Sequence, residues 1–164
     1  MTWIEFLLHQ NHSMLTVHGR TTKQMSDVPA NWELIGEAKK LRDRIAPDTL
    51  IAGNGDVQSL AHGQELAKKY GLDGIMVGRG IFHDPFLFAK ESPWQDYSKE
   101  RRLALFAKHV ALFQKTWPDE GRRVVTLNKF CKTYVNGFDG AKELREKLMT
   151  ATGPDQLLEM LQNA

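Results

Sequence analysis

Three short apolar runs, each ending in glycine and polar residues, constrain the fold of this chain more than any other feature. They occupy residues 14–18, 50–52 and 74–77, and helical patterns over 31–45 and 59–70 separate them. Strands joined by short crossovers of this kind run parallel. Because the runs are apolar throughout rather than at alternate positions, we expect both strand faces to be covered. The sequence therefore predicts an α/β sheet or barrel.

A polar, glycine-rich cluster follows each predicted strand: HGRT at 18–21, NGD at 54–56 and GRG at 78–80. The carboxyl ends of parallel strands form the functional rim of α/β folds, so the three clusters should converge on one surface. Glycines allow a ligand to approach the backbone closely, and Arg79 offers a forked cation that suits a phosphate. Each cluster alone also fits an ordinary turn. Their placement at three successive strand ends favours a shared site.

The chain changes character near residues 92–98. Helical patterns follow one another over 98–117 and 121–135, a third helix is predicted to be capped by Asp139, and a fourth starts at Gly153-Pro154. Successive helices without strands indicate a separate all-α region.

This region is also basic. Residues 98–164 contain 12 Lys/Arg and 8 Asp/Glu (12 − 8 = +4), whereas residues 1–97 contain 10 and 12 (10 − 12 = −2). A basic module on a nearly neutral chain is typical of a surface that faces a polyanion, although a solvated helix face has the same composition.

The three clusters, with their order and spacing, resemble those of the tRNA-dihydrouridine synthases. The likeness covers residues 14–90 and continues more loosely into the helical region. It implies the last three strands of a TIM (β/α)8 barrel over residues 1–92, followed by an all-α helical, tRNA-binding bundle over 98–164. It also implies reduction of uridine to 5,6-dihydrouridine in tRNA, with NADPH reducing a bound FMN.

Roles in cofactor and RNA binding follow from the resemblance residue by residue. The flavin ring or ribityl region would contact His18, and the FMN ribityl and phosphate groups would be held by Asn54, Gly55, Asp56, Gly78 and Arg79. Contacts to tRNA phosphates would come from Lys99, Arg101, Arg102, Arg122, Arg123, Lys129 and Lys132.

The family's catalytic cysteine has no counterpart among these residues. The single cysteine, Cys131, sits in a helical pattern and reads as a packed thiol, so we assign no catalytic residue and no metal ligand. A full barrel needs about 250 residues, so we expect this chain to be about half of an enzyme. Alone it should be inactive and bind FMN weakly, and we expect it either to self-associate through the exposed half-barrel surface or to be a truncated form of a longer protein.

Two other functions remain open: a barrel flavoenzyme with a small-molecule substrate, and a non-catalytic RNA-binding remnant. The basic helical region argues against the first, and the missing cysteine favours the second. No apolar run approaches the roughly 20 residues that a membrane helix needs. A single cysteine fits a reducing compartment, so we expect a cytoplasmic protein without a membrane partner.

Overall fold

A computed structural model describes residues 2–118 and 121–164, and it divides into two compact units. The first unit extends to His83 and the second begins at Asp84. The strands are β1 (Met14–His18), β2 (Leu50–Asn54) and β3 (Gly74–Met76). The helices are α1 (Trp3–Leu8), α2 (Trp32–Ile45), α3 (Leu60–Tyr70), α4 (Lys99–Thr116), α5 (Asn128–Tyr134), α6 (Ala141–Leu148) and α7 (Pro154–Gln162).

The first unit contains a parallel three-stranded sheet in the order β1-β2-β3, which confirms the predicted strand direction. Helices α2 and α3 provide the two crossovers. Local signals set their ends. Asn31 and Ser59 accept hydrogen bonds from backbone N–H groups of the first turns, and Gly71 ends α3 in the left-handed conformation at φ 65°.

One face of this sheet packs against the crossover helices. Val17 and Ile75 contact a core that includes the buried Trp32 of α2. Gly53 lies on the same face, where a Cβ atom would come within 2.5 Å of the Trp32 ring. Glycine at this position therefore leaves room for the indole ring against β2, which lets α2 pack close to the sheet.

The opposite face of the sheet, which we call the uncovered face, carries Met14, Leu50 and Met76. These side chains are 55%, 49% and 51% exposed. The strand register places them on one side, because Met14 pairs with Leu50 and Asn54 pairs with Met76. Among the described residues the helices thus cover only one face. The expectation that both strand faces are covered is therefore not met within this chain. The expected exposure of a half-barrel surface is observed at the uncovered face.

In its described part, the second unit has four α-helices around one hydrophobic core. Its most deeply buried side chains include Phe106 and Val110 of α4, Leu127, Val135 and Leu148. Ser98 caps α4, since its hydroxyl accepts a hydrogen bond from the Arg101 N–H at 3.4 Å.

Two predicted helix boundaries in this unit are wrong. The helix expected over 121–135 is a 3-10 turn at Val124–Leu127 followed by α5. Asp139 does not cap α6, because Gly140 occupies the N-cap position in the left-handed conformation, with φ 76°. Within residues 2–118 and 121–164, no helix is long and apolar enough to cross a membrane.

Candidate cofactor and RNA-binding sites

The carboxyl ends of the three strands meet at one small cavity, which we call the strand-end pocket. Its volume is about 150 Å³. The six residues that the sequence assigned to cofactor binding all line it, together with three that it did not: His18, Asn54, Gly55, Asp56, Gly78 and Arg79, with Arg20, Val57 and Gly80. The parallel register explains this meeting, since His18 pairs with Asn54 and Asn54 pairs with Met76, two residues before Gly78.

His18 ends β1 with its ring held by its own turn. The Nδ1 atom accepts a hydrogen bond from the Arg20 backbone N–H at 3.1 Å. A neutral ring in this position carries its proton on Nε2 and can donate from that atom. His18 is therefore oriented before any ligand arrives.

The NGD turn after β2 is fixed by contacts to three neighbouring elements. The Asn54 side-chain amide donates to the Met76 carbonyl at 2.7 Å, and the Trp32 indole N–H donates to the Gly55 carbonyl at 3.1 Å. Gly55 has φ 131°, and a Cβ atom there would lie 2.5 Å from the Ala30 Cβ. Only glycine satisfies both the backbone conformation and the close approach.

Asp56 is a non-glycine residue in the left-handed region, with φ 54°. Its Oδ2 accepts from the Arg20 guanidinium and from the Ala30 N–H, the latter at 2.8 Å. The Arg20 hydrogen bond lowers the pKa of the Asp56 carboxyl; partial burial opposes this shift, and the Ala30 N–H and the Arg79 charge add to it. Asp56 is thus a carboxylate with partners inside the protein.

Gly78 and Arg79 form the third side of the pocket. A Cβ atom at Gly78 would meet nothing within 4 Å, so the backbone there is open to a ligand. Arg79 Nη1 donates to the Ser26 hydroxyl at 3.0 Å, and Nη2 lies 3.8 Å from Asp56 Oδ1. The Arg79 side chain is still 65% exposed. Since a guanidinium has five N–H donors, several remain available for a phosphate.

Sequence reasoning did not assign Arg20 and Ser26 to the site. Arg20 belongs to the HGRT cluster, so its position next to His18 was a usable signal. Ser26 carried none, because its contact with Arg79 joins residues 53 positions apart across an irregular segment.

The seven basic residues assigned to RNA binding all lie in the second unit, in two kinds of environment. Arg101, Arg122, Arg123, Lys129 and Lys132 are exposed. Of these, Arg101 lies over the Tyr97 ring at 4.1 Å and Arg122 over the Trp117 ring at 4.9 Å. Lys99 is half-buried and donates to the Ala164 carbonyl at 2.6 Å.

Arg102 is the residue of this set whose donors are mostly engaged. Its guanidinium lies 4.6 Å from the Trp94 ring centroid and donates to the Tyr97, Trp94 and Asn136 carbonyls and to the Asn136 side chain. Such contacts join the start of α4 to the end of α5. They favour a structural role for Arg102 over contact with RNA.

A second cavity in this unit, which we call the basic groove, has a volume of about 810 Å³. Arg122, Arg123 and Trp117 line it, together with residues at the start of α7. An exposed aromatic ring beside two guanidinium groups offers both a stacking surface and positive charge, the combination found in single-stranded nucleic-acid sites.

Cys131 is buried in the core of the second unit, where only 2% of it is exposed. Burial raises the pKa of this thiol to about 11, and the Arg145 charge opposes the shift only in part. The reactive thiolate is therefore scarce at neutral pH, as expected for a packing residue. Among the described residues, no group of three or more His, Cys, Asp and Glu side chains could hold a metal ion.

Comparison with known proteins places these features in a family. The sequence model of the family described as "Dihydrouridine synthase (Dus)" matches residues 3–164. The chain is 46% identical over 159 residues to the "Probable tRNA-dihydrouridine synthase" of Staphylococcus epidermidis, covering 97% of this chain and 48% of that protein. It is 50% identical over 147 residues to the protein of the same name from Staphylococcus aureus, covering 90% and 44%.

A third relative is the "Probable tRNA-dihydrouridine synthase 2" of Bacillus subtilis, 43% identical over 159 residues, with 97% of this chain and 48% of that protein covered. The chain thus spans about half the length of the curated relatives it matches.

Proposed function

Because this chain belongs to the dihydrouridine synthase family, we propose that it provides the FMN-phosphate site and the tRNA-binding surface of a tRNA-dihydrouridine synthase. The reaction is the reduction of a tRNA uridine to 5,6-dihydrouridine, with NADPH as reductant. The observation that carries the cofactor half of the proposal is the strand-end pocket, where three consecutive strand ends place two arginines and an open glycine turn together.

The pocket suits the phosphate end of FMN. Arg20 and Arg79 contribute two positive charges and Asp56 one negative charge, so the site keeps a net positive charge (2 − 1 = +1) with a neutral His18. Its volume of about 150 Å³ is below the roughly 300–1,000 Å³ of cavities that enclose a whole ligand. The pocket is therefore a site for a phosphate and adjoining ribityl atoms, and the flavin ring must lie outside it.

Bound FMN would supply the hydride chemistry of the reduction. The residues of this chain bind and orient: Arg79 offers a guanidinium fork to the phosphate, and the Gly78 turn lets the backbone approach it. His18 can donate from Nε2, as its Nδ1 is occupied by the Arg20 N–H. Asn54 holds β2 to β3 through the Met76 carbonyl and keeps the two sides of the pocket together.

The architecture of the first unit fits the closing part of a (β/α)8 barrel. Helices pack on one face of its parallel sheet while the other face exposes Met14, Leu50 and Met76. A barrel has this arrangement, with helices outside and strand side chains filling the interior. We propose that β1, β2 and β3 correspond to its sixth, seventh and eighth strands. Further strands would then cover the uncovered face.

For the tRNA-binding surface we propose the exposed cations of the second unit: Arg101, Arg122, Arg123, Lys129 and Lys132. Arg122 and Arg123 are the strongest members because the basic groove also contains the Trp117 ring. Contacts between cations and phosphates provide salt-dependent affinity rather than sequence choice. We keep Lys99 as a weaker member and give Arg102 a structural role, since its donors contact the protein itself.

The function assigned to the 164 residues taken alone is binding without turnover. The single thiol, Cys131, is buried in the second unit and has a raised pKa, which suits packing rather than proton transfer to uracil. We propose that the isolated chain binds FMN weakly, binds tRNA, and does not reduce uridine. The cytoplasm, where tRNA and NADPH occur, is the compartment that fits this function.

A titration of the chain with FMN and with riboflavin tests the cofactor half of the proposal. Riboflavin lacks the phosphate, so the difference between the two affinities measures the phosphate contribution. An Arg79→Met variant should lose most of this difference, roughly tenfold in FMN affinity, because one charge-assisted hydrogen bond contributes about 1.5–3 kcal/mol. Arg44→Met, an exposed arginine in the last turn of α2, is the matched control. Equal affinities for FMN and riboflavin in the wild-type chain would refute the proposal.

A further inference from the structure

A buried cation lies beside the strand-end pocket. The Arg20 side chain is only 6% exposed. Its Nε donates to the Val28 carbonyl, and its Nη2 donates to the Asp56 carboxylate. A charge removed from water needs compensating partners, so these contacts are required for Arg20 to occupy this place. Arg20 lines the strand-end pocket, and its Nε and Nη2 atoms are engaged by these protein partners.

The Asp56 carboxylate connects two parts of the chain that are distant in sequence. Oδ2 accepts from Arg20 and from the Ala30 N–H, and both belong to the segment 19–31, which joins β1 to α2. Asp56 itself follows β2. One carboxylate therefore ties the 19–31 segment to the end of the neighbouring strand.

The same segment also holds Arg79, which comes from the third strand end. Ser26 lies within 19–31 and accepts a hydrogen bond from Arg79 Nη1 at 3.0 Å, while Nη2 lies 3.8 Å from Asp56. The direction of the Arg79 guanidinium thus depends on where this segment lies. Release of the segment would free a long side chain that is otherwise 65% exposed.

We propose that Arg20 and Asp56 are a positioning pair whose ion pair holds the 19–31 segment against the end of β2 and thereby fixes Arg79 for the phosphate. The inference rests on the proposed FMN function and deepens it. Asp56, which the family resemblance assigned to cofactor contact, acts through Arg79 and the segment instead. Its two carboxylate oxygens already face N–H groups of the protein.

The direction in which one substitution changes FMN affinity separates positioning from simple electrostatics. Asp56→Asn removes a negative charge that lies 3.8 Å from Arg79 and makes the pocket more positive. Electrostatics alone predicts tighter binding of an anion. Positioning predicts weaker binding, because the amide leaves Arg20 without its carboxylate and releases the segment. Arg20→Lys gives a second test: the charge is unchanged, but a lysine cannot make both contacts of the guanidinium fork.

The experiment follows the amide NMR signals of Gly78 and Gly80 while the 164-residue chain is titrated with FMN or riboflavin, a method that tolerates weak binding. We expect Asp56→Asn and Arg20→Lys each to weaken FMN binding roughly tenfold, the effect of losing one charge-assisted hydrogen bond, and to leave riboflavin binding unchanged. Asp43→Asn is the control. It makes the same charge change in a carboxylate of α2 that pairs with Lys39 and Arg42 and does not line the strand-end pocket.

The rate of trypsin cleavage after the exposed Lys23 measures how often the 19–31 segment opens, and this assay needs no ligand. Cleavage should be faster in Asp56→Asn and Arg20→Lys than in the wild type or in Asp43→Asn, because the segment opens more often. Folding of each variant is checked by its NMR spectrum. Arg20→Lys serves if Asp56→Asn does not fold.

The outcomes distinguish the two claims. Absence of FMN-induced shifts in the wild-type chain would overturn the flavin site itself and the pair's role in it. FMN binding in both variants that is as tight as in the wild type, or tighter, would overturn the positioning pair and leave the flavin site standing. An unchanged cleavage rate at Lys23 would have the same consequence. Weaker FMN binding together with faster cleavage supports the proposal.

Discussion

Arg42 tests whether the two ends of the sheet have separate roles in stability and ligand binding. It is a buried arginine of α2 that contacts the amino ends of the strands, opposite the strand-end pocket. Its Nη1 donates to the Pro47 and Thr49 carbonyls at 3.1 and 2.6 Å, and Nη2 donates to Asp73 Oδ2 at 2.9 Å. Asp73 Oδ2 also accepts from the Ile51 N–H at 2.8 Å. In barrel folds, this end of the strands is associated with stability and the other with function.

Replacing Arg42 with methionine should destabilise the first unit by about 3 kcal/mol. Breaking a buried ion pair costs roughly 3–5 kcal/mol, and each buried carbonyl left without a donor about 1–3 kcal/mol. Two features reduce the sum: the Asp73 side chain is 31% exposed and can be hydrated, and the methionine keeps most of the apolar contact. About 3 kcal/mol corresponds to a roughly hundredfold change in the unfolding equilibrium.

Native-state hydrogen exchange at the Ile51 amide measures this effect where it arises, because that N–H is bonded to Asp73. Lys40→Met, an exposed lysine on the same helix, is the control and should change stability by less than about 0.5 kcal/mol. The preference for FMN over riboflavin should survive Arg42→Met. A destabilisation below about 1 kcal/mol, or loss of that preference in a folded variant, would refute the separation of roles between the two ends.

Three further predictions concern other parts of the molecule. Burial lowers the pKa of His109 from its ordinary value of 6.5, so the unfolded chain binds a proton more readily than the folded chain does. Thermal stability should therefore fall as the pH drops below about 6.5, and it should fall less in the His109→Gln variant. In the Arg122→Met/Arg123→Met double variant, the slope of log tRNA affinity against log salt concentration, measured by filter binding, should decrease in magnitude by up to about two. An unchanged slope would exclude the basic groove as a tRNA-binding site. Light scattering should show self-association of the isolated chain through its uncovered face, and a monomer at high concentration would contradict this.

The sheet and its pocket could be predicted because they depend on local sequence signals. Apolar runs of strand length predict strands, and Ser59 and Ser98 cap helices within three residues of themselves. Parallel strands then require their carboxyl ends to lie together, which is why His18, Asn54 and Arg79 could be grouped without coordinates. Each step needs information from neighbouring residues or from strand direction alone.

The contacts that organise the pocket could not be predicted in this way. The Arg20–Asp56 pair joins residues 36 positions apart and needs the left-handed backbone of Asp56. Arg102 illustrates the same limit in the second unit: the family resemblance places it with the RNA-binding residues, but its guanidinium contacts Trp94 and Asn136. Sequence gives the charge of a residue, whereas the three-dimensional path of the chain decides its partners.

A crystal structure of the chain soaked with FMN would test the role of the strand-end pocket most directly. We predict that the phosphate lies within hydrogen-bonding distance of the Arg79 guanidinium and of a backbone N–H in the turn at Gly78, with His18 and Asn54 on the same side of the sheet. FMN bound only in the basic groove, or only on the uncovered face, would contradict the assignment of the three strand ends to the cofactor.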